Sequence, residues 1–203
     1  ADSATVRAVT LRFGFTPSPV STSSFVRADR APSKDGLRLW VRADSGIGAS
    51  SGSYLSVWTD QSEAHNDLNQ SSGSRLPRHV PDAANGLPAL RFDGTSDFLS
   101  FTTRLTTVRS VFFVLRDASS LSDASAHYVL GDAAGGATHF QSGLTANGTW
   151  WGGSASPSVT GGQTWLNGVP IDGLTTARSK DLSVLSVVTT GNTTAYVLRI
   201  YRG

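Results

Sequence analysis

Residues 56–70 read S-V-W-T-D-Q-S-E-A-H-N-D-L-N-Q and carry the densest set of chemically capable side chains in the chain. Two aspartates, a glutamate, a histidine, two asparagines and two glutamines follow Trp58 within twelve residues. Such a set could be an acid/base pair, a metal site or a polar turn. Asp60, Ser62 and Asn66 are residue types whose short side chains bond back to nearby backbone N–H groups and stabilise turns. The flanking stretches 54–58 and 67–70 read as strands, so a turn accounts for the density without a ligand. Calcium needs six or more oxygens in a small sphere, and the spacing of Asp60, Glu63 and Asp67 matches no EF-hand loop. Zinc would want more nitrogen donors than His65 supplies.

A second acidic pair, Asp93 and Asp97, lies in F-D-G-T-S-D-F. Two carboxylates at ~5–10 Å are what glycoside hydrolysis requires. Asp-Gly and Ser-Asp between strand-like runs read instead as turn residues. Asp93 and Asp97 are also the best calcium candidates, since carboxylates and carbonyls on one loop suit a hard cation. His127 and Tyr128 are adjacent, so on a strand they point to opposite faces and cannot act together. No G-x-S-x-G serine and no glycine-rich phosphate loop is present. Catalysis is therefore not expected.

Ligand binding without catalysis points elsewhere, to residues 130–153. Sugar sites combine apolar walls with a few placed polar groups. Trp150 and Trp151 are adjacent, so on a strand one indole faces inward and the other outward. Asp132, His139, Gln141 and Asn147 are their polar neighbours in sequence, and His139 and Gln141 share a face in T-H-F-Q. Trp150, Trp151, Asp132, His139, Gln141 and Asn147 form the expected ligand-binding set. Trp40, Trp58 and Trp165 lie in strand patterns and are expected in the core.

The elements that must position these residues are strands. A length of 203 suits one domain, with 38% hydrophobic and 16% charged residues. Glu and Lys are scarce while Gly, Ser and Thr are plentiful, which favours turns and strands over helices. Short apolar runs are expected as strands at 6–15, 37–42, 54–59, 89–92, 98–101, 110–115, 128–130, 163–166, 169–172, 182–189 and 195–201. The run 111–115 is apolar throughout, so both its faces are expected to be covered. Asn167-Gly168 between apolar pairs is the preferred sequence of a two-residue hairpin turn. Residues 16–36, with three prolines and a Ser/Thr cluster, read as a linker. Residues 1–15 are expected as an N-terminal strand or arm, and residues 37–203 as the compact domain.

Composition excludes several classes. There are no cysteines, so disulfides and thiolate chemistry are ruled out. The net charge of +2 and the scatter of the arginines give no basic block, so nucleic acid is not an expected partner. The longest apolar run is far too short to span a bilayer as a helix, so no membrane insertion is expected.

Ordered blocks of the chain carry a resemblance. L-R-L-W-V-R-A-D-S-G at 37–46, V-W-T-D-Q-S at 57–62, N-D-L-N-Q at 66–70 and N-G-L-P-A-L-R-F-D-G-T-S-D-F-L at 85–99 resemble the bacterial laminin-G-like jelly rolls. These belong to the concanavalin A-like lectin/glucanase superfamily. G-Q-T-W-L-N-G-V-P-I-D-G at 162–173 resembles a hairpin of the same family. The resemblance implies an all-β fold, an antiparallel two-sheet jelly-roll β-sandwich. Hydrolases of that superfamily usually carry E-x-D-x-E on one strand, and here the single glutamate is Glu63, in a turn. Family members usually continue beyond the equivalent of Gly203 into a further strand. A truncated C-terminus is one expectation, and a lane filled by residues 6–15 is the other. The expected function is a noncatalytic carbohydrate-binding or adhesion module of an exported protein, secreted or at the cell surface. Its partner would be a polysaccharide or glycan, or another surface protein. The alternative is a structural spacer or protein-interaction domain without a sugar site, and a glycan-active hydrolase or lyase ranks third.

Overall fold

The computed structural model describes residues 3–8, 21–26, 34–50, 53–117, 129–132, 139–142 and 148–199; 3–8, 21–26 and 49–50 are described by backbone alone. The chain divides into two units, Ala1–Leu37 and Arg38–Gly203. In the first, β1 (Ser3–Ala8) pairs antiparallel with β2 (Ser21–Val26). A strand thus lies inside the stretch read as a linker. The prolines that suggested the linker, Pro17, Pro19 and Pro32, lie outside the described residues. Residues 9–15 of the expected first strand lie outside the described residues.

The second unit holds β3 (Ile47–Ser50), β4 (Tyr54–Trp58), β5 (Leu68–Asn69), a 3-10 turn (Gly73–Arg75), β6 (Arg78–Ala84), β7 (Leu87–Arg91) and β8 (Phe98–Leu115). It continues with β9 (Leu130–Gly131), α1 (Pro157–Thr160), β10 (Gln163–Leu166), β11 (Val169–Ile171) and β12 (Ser183–Arg199). The ladders are antiparallel and run in the order β11-β10-β12-β8-β5-β4-β6-β7, with β3 beside β4 and β9 beside β12. The protein is all-β. Its terminal strands β11 and β7 carry Pro170 and Pro88. Proline at an edge removes a donor that a stray strand would otherwise pair with.

Two strands are longer than the sequence suggests. β8 joins the runs at 98–101 and 110–115 through the polar stretch between them, and β12 does the same through Thr189–Thr194. Their ladder slips between Val188 and Thr193, between Thr193 and Ala195, and between Ala195 and Val197. Such slips are β-bulges or larger irregularities, at which the strands continue with a shifted register. Threonine hydroxyls accompany the bulged region: Thr193 Oγ1 donates to the Val108 carbonyl at 3.1 Å, and Thr189 Oγ1 to that of Gly191 at 2.7 Å.

The expected strand at 37–42 does not form; its end makes only an isolated bridge, Arg42 to Ser45. The Trp40 N–H donates to the Asp60 carboxylate at 2.8 Å, and the Trp40 carbonyl accepts from Gln61 N at 2.7 Å. A loop satisfies this backbone where a neighbouring strand was expected.

One hydrophobic cluster gathers Leu55 and Trp58 of β4, Leu68 of β5, Leu99 and Phe101 of β8, Leu185, Val187 and Ala195 of β12, and Phe140, Trp150, Trp151 and Val159. Each fully buried aliphatic side chain contributes about 1.5–3 kcal/mol. Val159 reaches this core from α1, a single turn started by Pro157 and capped by the Ser156 side chain. Alternation along β12 sends Leu185 and Val187 inward and Val184 and Val188 outward. The same alternation overturns one expectation for β8. Val111 and Phe113 pack on the core, but Phe112 is 72% exposed and Val114 is 73% exposed. Among the described residues, no helix is long and apolar enough to cross a membrane.

Candidate ligand-binding site

The polar block after β4 is a structural knot. The buried Asp60 carboxylate accepts from the backbone N–H groups of Trp40, Ser62 and Asn66 and from the Ser62 hydroxyl, at 2.6–2.9 Å. Burial pushes its pKa up, but these four donors outweigh it and hold the carboxyl below the usual aspartate value. Asn66 then clamps β8: its Nδ2 donates to the Thr103 carbonyl and its Oδ1 accepts from Thr103 N. Gln70 Nε2 donates to the Phe98 carbonyl. Glu63 and His65 are exposed, with His65 at φ 49° in the turn and its N–H donating to the Ser62 carbonyl at 3.4 Å. The block fastens the 37–46 segment to β4, β5 and β8.

Asp93 and Asp97 also serve their own loop. The Asp93 carboxylate accepts from Thr95 N, Ser96 N, Asp97 N and the Ser96 hydroxyl, all at 2.8–2.9 Å. Burial opposes ionisation, yet these donors lower its pKa to about 2. Asp97 Oδ2 accepts from Asp93 N at 2.8 Å. Burial raises the Asp97 pKa, the Asp93 N–H opposes this, and the Asp93 charge adds to the rise. N–H groups converge on these oxygens from within the loop, where a calcium ion would need oxygen neighbours. Among the described residues, no group of three His, Asp or Glu side chains could share a metal.

At Trp150 and Trp151 the segment expected to bind ligand bends and is not a strand. Trp150 N–H donates to the Thr176 carbonyl and Trp151 N–H to that of Gly173, which seats both residues on the 172–177 turn. Both indoles are 2% exposed, so the expectation of one outward ring fails. A bent backbone lets two neighbours turn inward where a flat strand would part them. Trp151 meets Phe140 edge to face, with centroids 6.0 Å apart, and its Nε1 donates to Thr164 Oγ1 at 2.9 Å. Gly173 lies so close that a Cβ there would sit 2.1 Å from the Trp151 ring.

The polar members separate into two kinds. Asp132 is fully buried and grips Arg104, with Nε at 3.0 Å from both carboxylate oxygens and Nη2 at 2.5 Å, while the Thr194 hydroxyl donates to the same carboxylate. It is engaged by β8 and β12. His139, Gln141 and Trp150 are otherwise. His139 Nδ1, Gln141 Oε1 and Trp150 Nε1 are buried and have no hydrogen-bond partner among the described residues. An unmade buried bond costs about 1–3 kcal/mol. Asn147 lies outside the described residues, as do His127 and Tyr128.

The exposed aromatic surface is on the opposite face of the sheet. Register places Pro170, Trp165, Ser186 and Phe112 in one row across β11, β10, β12 and β8. Paired residues in an antiparallel ladder share a face. Trp165 and Phe112 are two strands apart, about 9.5 Å, with small Ser186 between them. Val184 beside Val114, and Val188 beside Gln163 and Ser110, extend the same face. Trp165 was expected in the core. It is half-buried and outside the core cluster, because Thr164 takes the inward position on β10. Trp58 is in the core as expected, and Trp40 is half-buried under the Arg42 guanidinium at 5.8 Å. Phe112 was missed altogether. The all-apolar run at 111–115 was the signal, and it was read as a doubly covered strand.

Comparison with protein-family models, curated proteins and solved structures finds no match to the chain. The chemistry must come from the geometry alone. It comprises an outward aromatic row on the sheet, three inward polar atoms without partners among the described residues, and aspartates engaged by hydrogen-bond donors of the fold.

Proposed function

We propose that the protein is a noncatalytic carbohydrate-binding or adhesion module of an exported protein, working at the cell surface or in the extracellular medium. Its sheet would fold over at the β8–β12 bulges into the two layers of a jelly roll. The observation that carries the functional reading is the row Trp165–Ser186–Phe112 on the outward face. Sheet faces turned to water normally alternate to polar residues. Here an aromatic ring 72% exposed and a half-buried indole lie on that face instead. Sugar rings present apolar C–H surfaces that stack on aromatic faces. Two such faces about 9.5 Å apart would support successive parts of an extended glycan. No cofactor enters this reading, and neither Asp60 nor the Asp93–Asp97 pair acts on the ligand.

Retention on a panel of insoluble polysaccharides tests it. Wild-type protein should be retained by at least one, and Phe112→Ser and Trp165→Ser should each lose that retention at an unchanged melting temperature. Retention by none of them, or retention untouched by both substitutions, would remove the sugar platform.

A protein partner is the second reading. The aliphatic Val114, Val184 and Val188 on the same face favour it, because contiguous exposed apolar residues mark interaction surfaces. A spacer or interaction domain without a sugar site would leave every polysaccharide unbound.

A further inference from the structure

Trp150 and Trp151 are neighbours with equal burial, yet their indole N–H groups differ. That of Trp151 is paired with Thr164, and that of Trp150 is unpaired among the described residues. Gln141 Oε1 and His139 Nδ1 are unpaired in the same way. More than ~90% of buried polar groups find a partner, so three orphans call for a cause. The segments that carry them adjoin. Gly152 N–H donates to the Gln141 carbonyl at 2.8 Å, and Ser156 N–H to the His139 carbonyl at 3.1 Å. Residues 139–141 therefore run beside residues 150–156. Between His139 and Gln141, Phe140 makes its edge contact with Trp151.

We infer that His139, Gln141 and Trp150 form an enclosed subsite for the hydroxyl edge of a single neutral sugar. The donor pattern selects the ligand class. Trp150 Nε1–H can only donate, Gln141 Oε1 can only accept, and His139 Nδ1 does either according to tautomer. A cation would face the indole N–H, and a carboxylate or phosphate would face the amide oxygen. A hydroxyl donates and accepts at once, and two vicinal hydroxyls answer all three atoms. Gln141 is 6% exposed and Trp150 2% exposed, while His139 is half-buried and forms the entrance. Choosing a sugar over other hydroxyl compounds rests on the functional reading above. The subsite itself is separate from the aromatic row, because Thr164 and Trp165 point to opposite faces of β10.

Ordered water offers the same hydrogen-bonding chemistry, and a titration separates the two. Glucose, galactose, mannose and N-acetylglucosamine are added separately to wild type, following tryptophan fluorescence and melting temperature. At least one should raise the melting temperature and perturb the fluorescence, since a ligand bound to the native state stabilises it. Gln141→Leu should weaken that sugar about tenfold or more. His139→Phe, at the half-buried position, repeats the test should Gln141→Leu fail to fold. Phe112→Ser should leave the monosaccharide effect intact, so failure of the aromatic platform and failure of this subsite read out separately. No response to any of the four sugars means water alone fills the site, which overturns the inference. Equal affinity in wild type and both variants overturns it as well.

Discussion

The Asp60 carboxylate accepts the Trp40 backbone N–H at 2.8 Å, across twenty residues of chain. That bond fastens a segment without a strand of its own to the turn after β4. Three further donors, two on Ser62 and one on Asn66, share the carboxylate.

Asp60→Ala should therefore destabilise the protein by about 3 kcal/mol, because it strands several buried N–H groups at once. The midpoint of urea unfolding measures this. Asp93→Ala, at an exposed loop, should cost clearly less. Equal effects at the two positions would mean the buried network contributes nothing special.

Acidification should expose the same groups. Asp60 and Asp93 bind their protons more weakly folded than unfolded, so the stability they contribute is present above the unfolded value of 3.8. It is lost as pH falls through the folded values, about 2 for Asp93. Asp97 has the opposite sign: its contribution is present below 3.8 and is lost as pH rises through its raised value, so it partly offsets the other two. Urea midpoints should fall between pH 4 and pH 2, and Asp60→Asn should flatten that fall.

The hairpin joining β10 to β11 turns through Asn167 at φ 52° and Gly168 at φ 80°. Asn167 also links to β12: its N–H donates to the Val184 carbonyl and its Oδ1 accepts from Val184 N, both at 2.8 Å. Asn167→Ala should lose about 1–2 kcal/mol, since the left-handed turn and a bond to β12 go together. Gly168→Ala should lose about 1 kcal/mol from backbone strain alone. Thermal denaturation of both variants gives the comparison, and a harmless Asn167→Ala would contradict the link to β12.

Gly173→Ala should be among the most damaging small substitutions in the protein. Its new methyl would sit 2.1 Å from Trp151 Cδ1, and the ring cannot retreat because Phe140 and Thr164 hold it. Overpacking of this kind costs about 1–3 kcal/mol. Tryptophan fluorescence should change along with the melting temperature. An unperturbed spectrum would show that Trp151 is free to move.

Much of the local structure could be read in advance because its causes are local. Asn167-Gly168 turns where it does because left-handed backbone at two successive positions favours those residue types. Asp93 and Asp97, and Asp60 toward Ser62 and Asn66, fold back on nearby N–H groups because short aspartate side chains readily meet local backbone donors. The scarcity of Glu and Lys, with abundant Ser, Thr and Gly, was enough to indicate an all-β protein. Which face each aromatic ring takes is another matter. Alternation says that Phe112 and Phe113 point to opposite faces, but not which face meets the core. That depends on Leu185, Val187 and Val159, roughly 45–75 residues later in the chain. Trp150 and Trp151 turn inward together because Gly173 and Thr176 bend and hold their backbone, a pairing absent from the immediate sequence. Turn type follows from the conformations available to one or two residues, whereas the inside and outside of a sheet follow from what packs against it. The sequence by itself therefore determined where the chain bends. Only the tertiary structure decided which rings face water and which polar atoms were left without partners.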